Sequence, residues 1–312
     1  MRFFITGIAG FIGSTLAERL TAHGHAIFGV DNLSTGDAAN LTTVSQWRKE
    51  DIRSPAFGKD FDLEFDVIIH LAAQTSAEKS FDNPHYDLET NMQGTYNVYD
   101  FAKKHHAKLM VNMSSMSVYG DVPSQLVVAE DYTTRPASLY GITKLAAETA
   151  LRLLAQNESA FPIVSFRLFN AYGPKQNLNE MKQGMVSIYL SQFLHAEQVV
   201  VKGSLDRIRD FIYIDDIISA FERVIHAFPA SSGVYNLSSG KTHRVGTVIE
   251  ELRRATGRDI PVVVRGQTAG DIAGFGGSHQ LFANTFGWTP RYSLAEGLNA
   301  MTAYYKEAIH AS

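Results

Sequence analysis

Tyr140 and Lys144 lie four residues apart in the segment SLYGITKLAAE, and Ser115 lies twenty-five residues upstream of Tyr140 in VNMSSMSVYGD. On a helix, residues i and i+4 share one face, so the phenol and the ammonium could serve one site. The chain also opens with a glycine-rich segment, TGIAGFIGS. Together, these features predict that a tyrosine phenolate performs acid–base chemistry beside a nicotinamide.

The tyrosine needs nearby positive charge, because a phenol with a pKa near 10 is a weak base at neutral pH. One cation about 6 Å away, at an effective dielectric constant of about 20, stabilises the phenolate by roughly 2.8 kcal/mol, or about two pKa units. We therefore expect Lys144 alone to bring the pKa of Tyr140 to about 8, and the charge of an oxidised nicotinamide to bring it to about 7 or below. Strand alternation points Ser115 and Ser117 to the same side, so the pattern alone leaves both as candidate hydroxyl donors.

Gly7, Gly10 and Gly13 follow a strand pattern and open a helix pattern, which is typical of a dinucleotide-binding loop. Glycine permits the tight turn and the close approach of a pyrophosphate to backbone N–H groups at the positive end of the helix. Asp31 ends the second strand, where a carboxylate accepts both ribose hydroxyls and repels a 2'-phosphate. The following NLSTG contains no arginine that could neutralise such a phosphate, so the sequence predicts NAD and not NADP.

Two further segments are predicted to contact the cofactor. Asp51 and Ile52 follow the third strand pattern, from which a side chain could reach the adenine. The strand FDVIIHLAA ends with Leu71, Ala72 and Ala73. Such small residues suit a backbone that lies against the cofactor.

The composition sets broad limits on fold and partners. With 312 residues and 45% hydrophobic residues, the chain can build a full core. The net charge of -4 provides no basic field for nucleic acid or an anionic membrane. Cysteine is absent, which excludes disulfides and thiolate metal sites, and we expect no metal. The N-terminal strand reaches Gly7 too soon for a signal peptide, and no apolar stretch has the length of a membrane span, so we expect a cytoplasmic protein.

Strand and helix patterns alternate through the first half of the chain, with helical stretches around residues 85–105 and 138–156. This alternation predicts an α/β fold with a doubly wound parallel Rossmann sheet. We expect residues 1–173 to form the NAD-binding domain and residues 174–312 to form mainly a smaller, interleaved substrate domain. Segments near 211–240 are expected to return to the first domain.

The chain resembles the extended short-chain dehydrogenase/reductase family, and within it the UDP-glucose 4-epimerase-like enzymes. The segments TGIAGFIGS, DNLSTG, HLAAQ, SSMSVYGD, YGITK, RLFNAYGP, RDFIYIDD and YNLSSGK stand in the family's order at family-like spacing. In this family the catalytic hydroxyl lies three residues before VYG, which is Ser115 here. The resemblance implies further cofactor contacts from Phe11, Ile12, Asn32, Ser34, Thr35, Gly36, Gln74, Asn91, Ser114 and Phe169.

The resemblance also distinguishes epimerisation from the dehydration and decarboxylation reactions found in the same family. Family dehydratases typically carry an Asp-Glu pair after the catalytic hydroxyl, and the decarboxylases carry a Glu, because these reactions need another acid. Here those positions hold Met116 and Ser117. The resemblance therefore implies epimerisation through a 4-keto sugar. A dehydratase, a decarboxylase, a C3/C5 epimerase and a NAD-binding regulatory module without turnover stay as alternatives.

Substrate contacts are implied for Asn170 and Arg209, which match positions that hold the nucleotide diphosphate, and for Asp271 near the ribose. A guanidinium fork suits phosphate oxygens. Many epimerases carry an arginine where this chain has Thr268, so we expect Arg265 to supply that contact or the contact to be missing. Phe275 falls where family members vary side-chain size, and its bulk resembles enzymes that act on plain hexoses.

The resemblance implies a nucleotide-sugar substrate, with UDP-glucose and UDP-galactose preferred, and a homodimer formed through the 85–105 and 138–156 helices.

Overall fold

The computed structural model describes residues 1–123, 126–158, 161–228, 232–266 and 272–311. Its strands, numbered in chain order, are β1 (Arg2–Thr6), β2 (Ala26–Asp31), β3 (Gln46–Lys49), β4 (Val67–His70), β5 (Leu109–Ser115), β6 (Val127–Val128), β7 (Ile163–Leu168), β8 (Asn170–Tyr172), β9 (Val199–Val201), β10 (Ile208–Tyr213), β11 (Gly233–Leu237), β12 (Thr242–Arg244), β13 (Val262–Val264) and β14 (Gly276–Gly277). The α-helices are α1 (Phe11–Ala22), α2 (Ala77–Asp82), α3 (Pro84–Leu88), α4 (Gly94–Lys104), α5 (Leu139–Glu158), α6 (Met185–His195), α7 (Ile214–His226), α8 (Val245–Thr256), α9 (Gln280–Phe286) and α10 (Leu294–Ala311).

A parallel sheet forms the centre of the fold. Its strands pair in the order β11, β7, β5, β4, β1, β2 and β3. The chain runs outward from β1 in both directions, so a crevice forms outside the carboxyl ends of β1 and β4. The predicted doubly wound α/β fold is confirmed.

The central strands are apolar on both faces because helices cover both sides of the sheet. In β1, Phe3 and Ile5 join one buried cluster with α1 and α7, whereas Phe4 joins a second cluster with α4 and α5. This alternation follows from the two-residue period of a strand. The two layers of helices hold the sheet and its crevice in place.

The helix predicted around residues 85–105 is interrupted. Helix α3 ends at Leu88, a π-helical turn spans Glu89–Gln93, and α4 begins at Gly94. The turn buries Thr90 and Asn91, and the amide of Asn91 bonds the backbone of a neighbouring loop. Turns of this kind are frequent at functional sites.

Smaller sheets form in the later part of the chain. β8, β10 and β12 pair in one sheet, and two-stranded sheets join β9 to β13 and β6 to β14. Within segment 211–240, β11 joins the large sheet beside β7, while β10 pairs with β8 and β12. We propose a domain boundary near residue 173, where β8 has just ended. Among the described residues, none of the helices combines the length and the apolar character needed to span a membrane.

Candidate active site

A cavity of about 660 Å³ opens outside the carboxyl ends of the central strands. This size is ordinary for a cofactor and substrate site. The residues predicted from the sequence that line it are Gly7, Gly10, Phe11, Ile12, Gly13, Asp31, Asn32, Ser34, Thr35, Ile52, Leu71, Ala72, Ala73, Ser114, Ser115, Tyr140, Lys144, Phe169, Asn170 and Arg209.

The glycine loop leaves no room for side chains. Gly7 has φ +71, and a Cβ on it would lie 2.8 Å from the backbone nitrogen of Ala72. A Cβ on Gly13 would lie 2.2 Å from the carbonyl oxygen of Gly7. Helix α1 starts immediately after Gly10 without a side-chain cap. The loop therefore presents bare backbone at a positive helix end, which fits the pyrophosphate of a dinucleotide.

Replacing Gly7 by alanine is expected to reduce retained NAD and thermal stability more than replacing Gly24 by alanine. Both glycines have positive φ, at +71 and +78, so both variants bear a backbone cost of about 1–2 kcal/mol. Only at Gly7 does the new Cβ meet other atoms, because the space around Gly24 is open within 4 Å. Cofactor content by absorbance and melting temperature by calorimetry measure the two effects, and equal losses in both variants would contradict this account.

Asp31 brings a buried carboxylate to the cavity. Its two oxygens accept the backbone N–H groups of Ala9, at 2.9 Å, and Leu33, at 2.8 Å. Burial raises the pKa of this carboxyl, while the backbone hydrogen bonds oppose the shift. The carboxylate thus holds the glycine loop and the turn after β2 together, at the place where a dinucleotide ribose is expected.

Tyr140, Lys144 and Ser115 converge on the cavity wall. Helix α5 begins at Leu139, and the hydroxyl of Ser138 caps it by accepting the N–H of Gly141 at 3.1 Å. Both Tyr140 and Ser115 line the cavity, and hydrogen bonding from Ser115 lowers the pKa of the Tyr140 phenol. The backbone N–H of Ser117 donates to the Ser115 oxygen at 3.1 Å, which fixes that hydroxyl at the end of β5. Ser117 lines the same cavity.

The pKa of Tyr140 differs from the value expected from Lys144 alone. Burial raises it to about 12, the hydrogen bond from Ser115 lowers it, and the carboxylate of Asp87 raises it further. Burial also lowers the pKa of Lys144 to about 8, while Asp87 and Glu148 raise it. The expectation of about 8 for Tyr140 was wrong, because it omitted desolvation and a buried carboxylate distant in the sequence.

The buried groups Asp87, Thr143, Glu148 and Arg167 near this pair were not predicted from the sequence. Asp87 accepts hydrogen bonds from Thr143 Oγ1 at 2.6 Å, Gln74 Nε2 at 2.5 Å and Asn91 Nδ2 at 3.3 Å. The spacing of Asp87 and Asn91, four residues apart before the predicted active-site helix, was an available but weak signal. Glu148 and Arg167 form a second buried group, with an ion pair of 2.7 Å.

Several residues predicted to contact the cofactor do not line the cavity. Asp51 bonds Arg53 at 2.8 Å and Asn32 at 3.0 Å, and Arg53 holds the pKa of the Asp51 carboxyl at about 2. Gly36 packs against the Asp31 carboxylate. Gln74 and Asn91 turn into the Asp87 cluster because its buried polar groups must satisfy one another.

Phe275 also departs from its predicted role. It is 0% exposed and packs edge-on against Tyr119 and Phe169 in a separate core cluster. Direct contact between Phe275 and a substrate is therefore not supported by its position. Asp271 and Thr268 lie outside the described residues.

Cationic side chains line the part of the cavity beyond β8. The guanidinium of Arg209 is buried and donates to the carbonyl oxygens of Ile208, at 2.8 Å, and Ile272, at 3.0 Å. Arg207 and Lys202 line the cavity, whereas Arg265 is exposed and does not. The two-residue spacing of Arg207 and Arg209 at the start of a strand was a signal that both share one face.

The chain belongs to the NAD-dependent epimerase/dehydratase family, whose sequence profile matches residues 3–238. It is 31% identical to the UDP-glucose 4-epimerase of Mycolicibacterium smegmatis, over 98% of this chain and 99% of that protein. The UDP-glucose 4-epimerase of Thermotoga maritima with UDP-glucose superposes with a TM-score of 0.93, at 28% identity, over 99% of this chain and 100% of that one. The Thermus thermophilus UDP-glucose 4-epimerase in complex with NAD gives 0.90, also at 28% identity and with the same coverage.

Proposed function

We propose that this protein is a NAD-dependent UDP-sugar 4-epimerase that interconverts UDP-glucose and UDP-galactose. The observation that carries the proposal is one cavity lined at the same time by the glycine loop, by Asp31 and by the Ser115, Tyr140 and Lys144 side chains. The similarity to UDP-glucose 4-epimerases along the whole chain supports the same reaction.

The residues present fit NAD. Backbone groups of the loop from Gly7 to Gly13 would hold the pyrophosphate, the Asp31 carboxylate would accept ribose hydroxyls, and Lys144 would hold the nicotinamide ribose. When bound, NAD would supply the hydride acceptor in its oxidised form, the hydride donor in its reduced form, and, while oxidised, a positive charge beside the phenol.

Tyr140 takes the proton from the sugar 4-hydroxyl and later returns it. Its phenolate is stabilised by the Ser115 hydroxyl, which opposes the effect of burial on its pKa. The Lys144 ammonium, one helical turn further along α5, would add positive charge to the same site. Ser115 holds the reacting oxygen in line because its own oxygen is anchored by the backbone of Ser117. The 4-keto sugar then turns within the cavity and presents its other face.

The wall beside Ser115 favours epimerisation over elimination or decarboxylation. Met116 and Ser117 follow Ser115 and line the cavity, and neither carries a carboxylic acid that could protonate a leaving hydroxyl. The 4-keto intermediate can therefore be reduced again but receives no further acid from this segment.

The diphosphate would be held by Arg209 and by Arg207. Arg207 would take the role that the sequence predicted for Arg265.

The test is to mix the purified protein with UDP-glucose, without added cofactor, and follow UDP-galactose by chromatography and mass spectrometry. We expect interconversion with unchanged mass. A product that has lost water would indicate a dehydratase, and a product that has lost carbon dioxide would indicate a decarboxylase. Stoichiometric consumption of added NADH would indicate a reductase instead.

We also propose a homodimer formed through α4 and α5. Ile142 and Leu153 are 52% and 46% exposed and lie three helical turns apart on one stripe of α5, and Tyr96 is exposed on α4. Such exposed apolar side chains in a row are typical of an association surface.

The double replacement Ile142→Glu and Leu153→Glu is expected to convert a dimer into a monomer, because it places charges in an apolar interface. Sedimentation equilibrium measures the mass directly. Leu281→Glu is the matched control, since Leu281 is 45% exposed on α9, and it should leave the dimer intact. A wild-type protein that sediments as a monomer would refute the proposed assembly.

A further inference from the structure

Asp87 is a buried carboxylate that the proposed reaction does not use. It is 0% exposed and lies on α3, just before the π-helical turn. Its hydrogen bonds come from Thr143, Gln74 and Asn91, all of which are neutral donors. These bonds hold the carboxylate in place but bring no positive charge to it. Burial raises the pKa of Asp87, while the hydrogen bonds from Thr143 and Gln74 and the charge of Lys144 oppose that rise.

The position of this carboxylate is rigid. Asn91 donates to the backbone oxygen of Gln74 at 3.0 Å and accepts its N–H at 3.0 Å, which ties the π-helical turn to the loop after β4. Thr143 precedes Lys144 on α5, and its hydroxyl reaches the Asp87 carboxylate at 2.6 Å. Three separate elements thus fix Asp87 against the helix that carries the Tyr140–Lys144 pair.

Lys144 is buried among groups of both signs. Burial lowers its pKa to about 8, and the carboxylates of Asp87 and Glu148 oppose this shift. Glu148 already forms an ion pair with Arg167, so its charge is largely balanced. His70, on β4, is buried with a pKa of about 3 and stays neutral, and Tyr140 is neutral when protonated. Asp87 is therefore the carboxylate near Lys144 whose negative charge is not balanced by an arginine, and it favours the protonated ammonium.

We propose that Asp87 is a positioning residue that keeps the Lys144 ammonium protonated in its buried site and thereby sets the alkaline limit of the active pH range. The proposal rests on the proposed function above. The same negative charge disfavours the Tyr140 phenolate by raising the pKa of the phenol. Because of Asp87, deprotonation of Tyr140 therefore requires more stabilisation from positive charges near the phenol. An ammonium that lost its proton would no longer stabilise the phenolate or hold a ribose by charge.

The first experiment titrates Lys144 directly. The purified protein is labelled with ¹³C-lysine, and the ε-carbon resonance of Lys144 is assigned by its loss in Lys144→Arg. We expect Asp87→Asn to move the titration of this resonance to lower pH by about one unit or more, because a nearby opposite charge is removed. Asp87→Glu keeps the charge and should leave the titration within a few tenths of a unit. Should Asp87→Asn not fold, Asp87→Ser tests the same loss of charge.

The second experiment measures kcat against pH for the same variants. The alkaline limb should move to lower pH in Asp87→Asn and stay in place in Asp87→Glu. Thr143→Val removes a hydrogen bond but no charge, so it should lower the rate without moving the limb. A lower rate in Asp87→Asn with an unmoved limb and an unmoved Lys144 resonance would overturn the proposal and leave Asp87 with a purely structural role. Because the resonance titrates without turnover, this failure is distinct from failure of the epimerase assignment.

Discussion

Replacing Tyr140 by phenylalanine is expected to lower kcat for the proposed UDP-glucose to UDP-galactose interconversion by about 10²- to 10⁴-fold, the usual contribution of a positioned acid–base group. The variant removes one oxygen and leaves the buried ring, so the fold should persist with a stability change of about 1 kcal/mol or less. The measurement is the initial rate with each sugar at saturating concentration, accompanied by thermal unfolding.

Tyr119→Phe is the matched control for this prediction. Tyr119 is also a buried tyrosine, but its hydroxyl bonds Asn236 at 2.6 Å and it does not line the cavity. We expect this variant to lose stability and to keep its kcat. If Tyr140→Phe retained a kcat within threefold of the wild type, the phenol would not be the proton acceptor, and the epimerase mechanism would need another base.

The second large effect concerns the ion pair of Arg167 and Glu148, which joins β7 to α5. Both side chains are less than 10% exposed, and the guanidinium contacts both carboxylate oxygens. Ser114 donates to the same carboxylate at 2.7 Å. Arg167→Met is therefore expected to reduce the free energy of unfolding by about 3–5 kcal/mol, because it leaves Glu148 buried without a partner charge.

The double replacement Arg167→Met and Glu148→Leu should recover a large part of this loss, since it removes both charges instead of stranding one. Urea unfolding of the two single variants and the double variant forms a complete cycle. A double variant no more stable than Arg167→Met would show that the loss comes from packing and not from the unpaired carboxylate.

The sequence alone predicted the glycine loop, the alternation of strands and helices, and the spacing of Tyr140 and Lys144. Each of these depends on neighbours only a few residues away. The same local logic predicted the parallel sheet, the carboxylate at Asp31 and the placement of Ser115 at the end of β5. It missed the break in the helix around residues 85–105, because the π-helical turn arises from buried polar contacts with a separate loop.

What only the tertiary structure decided is the electrostatic setting of those residues. Asp87 lies 53 positions before Tyr140 in the chain, yet its charge reaches both Tyr140 and Lys144. Phe275 packs in a core cluster beside Tyr119. The two residues are far apart in the sequence, so local patterns did not predict this contact. Side-chain types and local spacing determine which chemical groups are available, whereas burial and long-range charge determine their protonation, and these depend on how the whole chain packs.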